Sequence, residues 1–197
     1  TYAMEGSIFI AGAGVQWLRD RMNFFKKASE TEKIVKSLKD NNNIYLVPAF
    51  TGLGAPYWDA NARGVLSGIT RDTSPKEIVR ATIEAVAYQT YDLFEAMKHD
   101  GLRPKIVKVD GGMVMNNWFS QFLSDIVNVK VLRPKVQETT ALGAAFMAGL
   151  QIGVYKSLKD ISKNWHLDKK FSPKMKNPLR NKVLKGWAAA IKKTLTN

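Results

Sequence analysis

An α/β layered fold is what this sequence predicts, on three observations. Stretches with helical spacing of apolar residues alternate along the chain with short aliphatic and β-branched runs. Glycine and proline punctuate the boundaries, as at Pro48, Gly101 and Pro134. The segment from Ile106 to Asn117, IVKVDGGMVMNN, reads as a short buried strand, a turn with two adjacent glycines, and a helix start at the paired asparagines. Such a turn has no Cβ atoms in the way, and its backbone N–H groups lack internal partners, so they can face a polar ligand. Taken alone, the same motif is equally a bare strand-to-helix turn.

Ser7 to Phe25 reads as the first helix, because Ile8, Ala11, Val15, Leu18, Met22 and Phe25 recur at three and four residues. Gly12 and Gly14 interrupt it, and each interior helical glycine costs about 1 kcal/mol relative to alanine. Close approach of another group would offset that cost. Gln16 lies one turn beyond Gly12 on the same face. Spacing alone also allows a neighbouring helix over the glycines, with Gln16 at the surface.

A polar stretch from Lys26 to Asn43 holds a short helix and a turn at the three asparagines. Ile44 to Val47 is a strand ended by Pro48. The segment AFTGLGAPYWDANARG is a loop, unusually aromatic through Phe50, Tyr57 and Trp58, and is expected to pack down as a lid. Val65 to Thr70 is the returning strand. Ser74-Pro75-Lys76-Glu77 carries a capping box and a proline at the first helical position. Val79, Ile83, Val86, Thr90, Phe94 and Met97 continue that long helix, and Gly101 stops it. After the glycine turn, Trp118, Phe119, Phe122 and Ile126 form an inward helix face. Val129 to Leu132 is another strand. Thr139 is placed to cap TALGAAFMAGLQIG, a helix apolar almost all round and therefore expected to be buried. A last amphipathic helix starts at Asn177-Pro178, with Leu179, Val183, Trp187 and Ile191 inward and Arg180, Lys182, Lys185 and Lys193 outward. Residues 1–155 thus form one domain, and 156–197 a basic helical tail docked on it.

The 197 residues suffice for a sizeable core, and a hydrophobic fraction of 45% excludes general disorder. The absence of cysteine excludes disulfides and thiolate metal sites and points to a reducing cytoplasm. No apolar run is long enough to span a bilayer, and the N-terminus lacks the basic region of a signal peptide. The chain opens on Thr1 directly into an apolar pattern, as a piece of a longer chain would. The net charge is +13. From Lys156 onward 12 basic residues face Asp160 and Asp168, which gives +10 and leaves +3 for the rest. The tail lysines sit on solvated helix faces, so nucleic acid is not the expected partner.

The two histidines, His99 and His166, are far apart, and no metal-ligand spacing, G-x-S-x-G elbow, Walker loop or G-x-G-x-x-G occurs. Asp110 is the one carboxylate at a glycine turn, where accepting that turn's N–H groups is its expected role. No nucleophile is paired with a base.

Four segments, PAFTGLGAPYWDANARG, RATIEAVAYQT, VDGGMVMNNWFSQFLSDI and TALGAAFMAG, resemble in order and spacing the C-terminal half of the FGGY carbohydrate kinases, over Tyr2 to about Val154. The AFTGLGAPYWD loop is similar to that of members that phosphorylate glycerol rather than xylulose or gluconate. The resemblance implies an actin-like, ribonuclease-H-like domain, a three-layer arrangement with helices on both faces of a sheet. It implies ATP or ADP with Mg²⁺ as cofactor, and glycerol as substrate of the longer enzyme. It places Gly112 and Asn116 at the adenosine-contacting turn, and Gly12 and Gln16 on the opposite wall. It also implies that the phosphate loop, the catalytic aspartate, the glycerol-binding side chains and a further nucleotide-contacting threonine lie outside this chain. No catalytic or metal-binding residue is therefore assigned here, and the chain alone is expected to be inactive. Met113-Val114-Met115 replaces smaller residues of the family turn, which is expected to narrow the pocket. Two other readings stand beside this one: another sugar or polyol kinase of the family, and a non-catalytic binding module. A domain lacking strands would leave Ile8, Val15, Ile44, Leu46 and Val109 uncovered, so a homo-oligomer is expected.

Overall fold

The computed structural model describes residues 3–196. In order, its elements are α1 (Gly12–Asp20), α2 (Glu30–Lys36), β1 (Tyr45–Val47), β2 (Val65–Ser67), α3 (Pro75–His99), β3 (Ile106–Lys108), a 3-10 turn (Gly112–Met115), α4 (Asn117–Val127), β4 (Lys130–Pro134), α5 (Thr139–Gln151), α6 (Leu158–Ser162), β5 (Leu167–Phe171) and α7 (Asn177–Thr194). Through α5 this is the alternation that the pattern predicts, while α6 and β5 were not expected. β1 and β2 pair antiparallel, with Leu46 opposite Leu66. β4 runs parallel to β3 and antiparallel to β5, so β3 is an edge strand.

α3 is the spine. The Ser74 hydroxyl accepts the Lys76 N–H, and the Glu77 carboxylate accepts the Ser74 N–H at 3.0 Å, which completes the capping box. Gly101, at φ +88°, closes the helix as only glycine does without strain. α3 packs on α1, α2, β1 and α4. At its middle, Tyr88 stacks on Trp187 of α7 at 5.2 Å, meets Phe122 of α4 edge-on at 5.6 Å and lies 6.0 Å from Tyr45 of β1. Aromatic pairs in these geometries contribute about 0.5–1.5 kcal/mol each beyond their buried area. The cluster therefore ties α7 to the body of the domain.

A buried ion pair lies beside this cluster. The Glu84 carboxylate accepts from Arg80 Nε at 2.7 Å, Asn41 Nδ2 at 3.1 Å and Tyr88 Oη at 3.0 Å. Arg80 Nη1 also donates to the Leu38 carbonyl at 2.8 Å. Burial raises the pKa of Glu84, while Arg80 and the hydrogen bonds oppose that shift.

The aromatic loop is packed down in part. Phe50 lies 4.9 Å from Trp17, and Tyr57 Oη donates to Asp92 at 2.9 Å, whereas Trp58 is 69% exposed. Asp92 also accepts Trp187 Nε1 at 2.6 Å, so one carboxylate joins the loop, α3 and α7. Burial pushes the Asp92 pKa up to about 6 against the pull of both donors. An elevated carboxylate pKa favours the folded state most below the unfolded value of about 3.9 and loses that contribution as pH rises to about 6. Stability is thus expected to fall by roughly 2–3 kcal/mol across pH 4–6 through this group. In urea melts, Asp92→Asn should flatten that slope, since its amide oxygen still accepts both bonds. An unchanged slope would show that Asp92 titrates normally.

Several expectations need correction. α1 starts at Gly12, not Ser7, so Gly12 and Gly14 both lie in its first turn and neither interrupts a helix interior. A Cβ at Gly14 would meet Thr82 Cγ2 at 3.0 Å, which shows the close approach of α3 that its absence permits. β3 is not buried: Ile106 is 53% exposed, because nothing described pairs with its outer edge. Val15, Ile44 and Leu46 are buried, and Ile8 and Val109 pack against the core, so the side chains expected to lack cover have it. α5 is largely exposed despite its apolar composition, with Gly149 its one buried residue. Tyr155 folds back on Gly149 and stands edge-on to Phe146 at 5.4 Å, but no described sheet lies over the helix. Thr139 does not cap α5. It is the first helical residue, and its hydroxyl donates to the Asp110 carboxylate. β5 is a strand where none was expected. In α7, Leu179 is exposed, while Arg180 turns inward, its Nε donating to the Ile126 carbonyl at 2.8 Å and its guanidinium lying over Tyr91.

Candidate functional site

A cleft of about 420 Å³ opens between α1, the start of α2 and the 3-10 turn. Gly12, Gln16, Gly112 and Asn116 all line it, although they come from segments about a hundred residues apart. Helical spacing puts Gly12 and Gln16 on one face of α1. The other wall follows from Gly111, whose φ of +82° turns the chain out of β3 and into the 3-10 turn.

The two lining glycines share an open environment, as does Gly143 of α5. A Cβ built at Gly12 or at Gly112 would meet nothing within 4 Å, and neither residue has a positive φ. The fold therefore does not require glycine at either position. A side chain there would point into free space beside the cleft, which is where a ligand approaching the backbone would sit.

Asn116 is fixed by two bonds. Its Oδ1 accepts the Phe119 N–H at 3.0 Å as the cap of α4, and its Nδ2 donates to Thr31 Oγ1 at 3.4 Å. It therefore anchors the turn to α2. Gln16 is exposed, and its amide has no hydrogen-bond partner among the described residues, which leaves it available to a ligand. Val15, Ile83 and Met113 give the cleft an apolar floor suited to a flat ring. Met113 and Met115 line the cleft, as expected from their place in the turn, and it remains open.

Sequence reasoning missed Arg19, Ser29, Thr31 and Glu32, which also line the cleft. Arg19 had a signal, for it follows Gly12 by seven residues and Gln16 by three on the same helix face. The α2 residues had none, since Lys26 to Asn43 reads as a solvated helix. Burial pushes the Glu32 pKa up, but hydrogen bonds from Lys36 and the Asn117 N–H more than offset this and hold the carboxyl below its usual range. Glu32 thus stays ionised and braces the start of α4. Among the described residues no group of three or more His, Asp or Glu side chains could hold a metal ion, and no helix is long and apolar enough to cross a membrane.

The chain is thus an α/β domain with a cleft of small-molecule size between α1, the start of α2 and the 3-10 turn. Residues 1–152 match the FGGY family of carbohydrate kinases, C-terminal domain, and the chain belongs to that family. Glycerol kinase 1 of Pseudomonas aeruginosa is 54% identical over 193 residues, covering 98% of this chain and 39% of the relative. A glycerol kinase of Clostridium botulinum is 52% identical over 195 residues, again 98% and 39%. The solved structure of Plasmodium falciparum glycerol kinase with ADP superposes with a TM-score of 0.86 at 36% identity, over 97% of this chain and 38% of that one. A ligand-bound xylulose kinase from Lactobacillus acidophilus gives 0.77 at 26% identity, over 95% and 38%. These neighbours share the actin-like ATPase fold, so that expectation holds. The likeness to the glycerol kinases continues well past Val154 into the basic tail. The chain spans about 39% of the length of these relatives.

Proposed function

We propose that this chain is the nucleotide-binding part of a glycerol kinase that transfers the γ-phosphoryl group of ATP to a terminal hydroxyl of glycerol. The observation that supports the reading is the pair of glycines, Gly12 and Gly112, which line one cleft with open space where each Cβ would be. Adenosine would lie between them. The apolar floor would hold the base, the Gln16 amide would meet a polar edge, and Asn116 would keep the turn in place. The ADP in the Plasmodium falciparum relative supports a nucleotide as the ligand, and the high identity to glycerol kinases over glycerol as the acceptor.

This chain's share of the reaction is to bind and orient the nucleotide. Mg²⁺, which neutralises developing charge in phosphoryl transfer, would be held by the nucleotide's phosphates and by groups outside the described residues. The base that takes the glycerol proton would likewise come from the longer protein.

A coupled assay of the longer kinase with glycerol, xylulose and gluconate tests the reading. Glycerol is expected to be phosphorylated far faster than the other two, and this chain alone to give no turnover above a blank. Preference for xylulose or gluconate would overturn the substrate, and turnover by the chain alone would overturn the division of labour.

A further inference from the structure

A second cavity, of about 300 Å³, lies on the β3–β4 side of the fold and shares no lining residue with the nucleotide cleft. Its apolar walls come from Val136, Leu142, Phe146 and Ile161, and Trp165 supplies a broad aromatic face. Lys108 holds its ammonium 4.2 Å from the centre of the Trp165 ring. Such a contact orients both groups and leaves other directions of the ammonium open. Lys135 and His166 complete the rim, joined by the Lys135 N–H donating to the His166 carbonyl at 2.9 Å.

Two of the nearby carboxylates are engaged by other cations, Asp168 by Arg133 at 2.7 Å and Asp160 by Lys163 at 3.2 Å, while Asp110 accepts the Thr139 hydroxyl and keeps its charge. Among the described residues neither Lys108 nor Lys135 has a carboxylate within ion-pair distance. Two lysines lining an apolar, aromatic-walled cavity call for a ligand with matching parts. An anionic head would meet the lysines, and a flat apolar body would lie against Trp165 and Phe146.

We infer that this cavity is a binding site for a small organic anion carrying a planar apolar group, of which an aryl phosphate is the simplest form. The site is independent of the nucleotide cleft in its residues but joined to the turn that lines it. Lys108 lies on the strand that runs into Asp110-Gly111-Gly112, and Thr139 of the cavity wall is hydrogen-bonded to Asp110.

Phenyl phosphate is the probe. Calorimetry on the whole chain, with the Trp165 indole N–H followed by ¹H–¹⁵N NMR, should show saturable binding. Inorganic phosphate should bind about tenfold more weakly for lack of the ring, and benzyl alcohol should show none. Lys108→Met and Lys135→Met should each weaken phenyl phosphate about fivefold, and the double variant should abolish the Trp165 shift. Lys108→Arg should restore it, and circular dichroism should report folded protein throughout. No saturable Trp165 shift with folded protein overturns the inference. So does wild-type affinity in the double variant, or equal affinity for phenyl phosphate and inorganic phosphate. Gln16→Ala, in the other cleft, is expected to leave phenyl phosphate binding unchanged, and a parallel loss there would show that the probe occupies the nucleotide cleft instead.

Discussion

Gly112→Val in the longer kinase is expected to weaken ADP binding by about 100-fold or more, equivalent to roughly 2.7 kcal/mol, while leaving the fold intact. The branched side chain would enter the space into which the backbone now opens. No protein atom lies within 4 Å of the new Cβ, so nothing in the fold has to move. The backbone φ there lies outside the left-handed region, so valine is not excluded by strain. Calorimetry with ADP and a thermal melt separate the two effects. Lost affinity at an unchanged melting temperature is the signature of a ligand site. Unchanged affinity would remove Gly112 from the site, and a large drop in melting temperature would mean that the residue serves the fold.

Arg80→Ala is expected to be the most damaging single change to stability, at about 3–5 kcal/mol, the range for breaking a buried ion pair from one side. It would leave Glu84, 1% exposed, with two neutral donors and no counter-charge. It would also free the Leu38 carbonyl and remove the guanidinium lying 5.0 Å from the Trp118 ring centre. Urea denaturation with an unchanged m-value measures the loss. Glu84→Gln with Arg80→Ala should cost less than Arg80→Ala alone, because the stranded charge is gone. A loss below about 1 kcal/mol for Arg80→Ala, the scale of an exposed pair, would mean that water compensates the site.

Much of this architecture was legible because it is local. The Ser74–Glu77 capping box, the Gly101 stop and the inward face of α4 are read from spacing, and each is where spacing puts it. Spacing also put Gly12 and Gln16 on one face of α1, but it was the family resemblance that assigned that face to a ligand. What spacing cannot supply is the partner of a surface. The composition of α5 calls for burial, but burial depends on what lies opposite, and no described element does. β5 was missed because Leu167-Asp168-Lys169-Lys170-Phe171 has charged residues at its centre. Its place is set by pairing with β4, a long-range contact. Thr31 and Glu32 were missed for a related reason, as their role depends on Asn116 and Asn117, 85 residues away.

The open glycines also say something about where this protein stands between folding and binding. A glycine leaves the unfolded chain more freedom to lose, and alanine at a compatible position raises stability by about 0.4–1 kcal/mol through the unfolded state alone. Gly12 and Gly112 are compatible positions by geometry, since neither has a positive φ or a crowded Cβ. The fold thus forgoes up to about 2 kcal/mol at these two residues, a sizeable part of the 5–15 kcal/mol typical of a domain. In a sequence tuned for thermal endurance alone both would be replaced. On the proposed nucleotide-binding role, keeping glycine here trades conformational entropy for ligand access to the main chain.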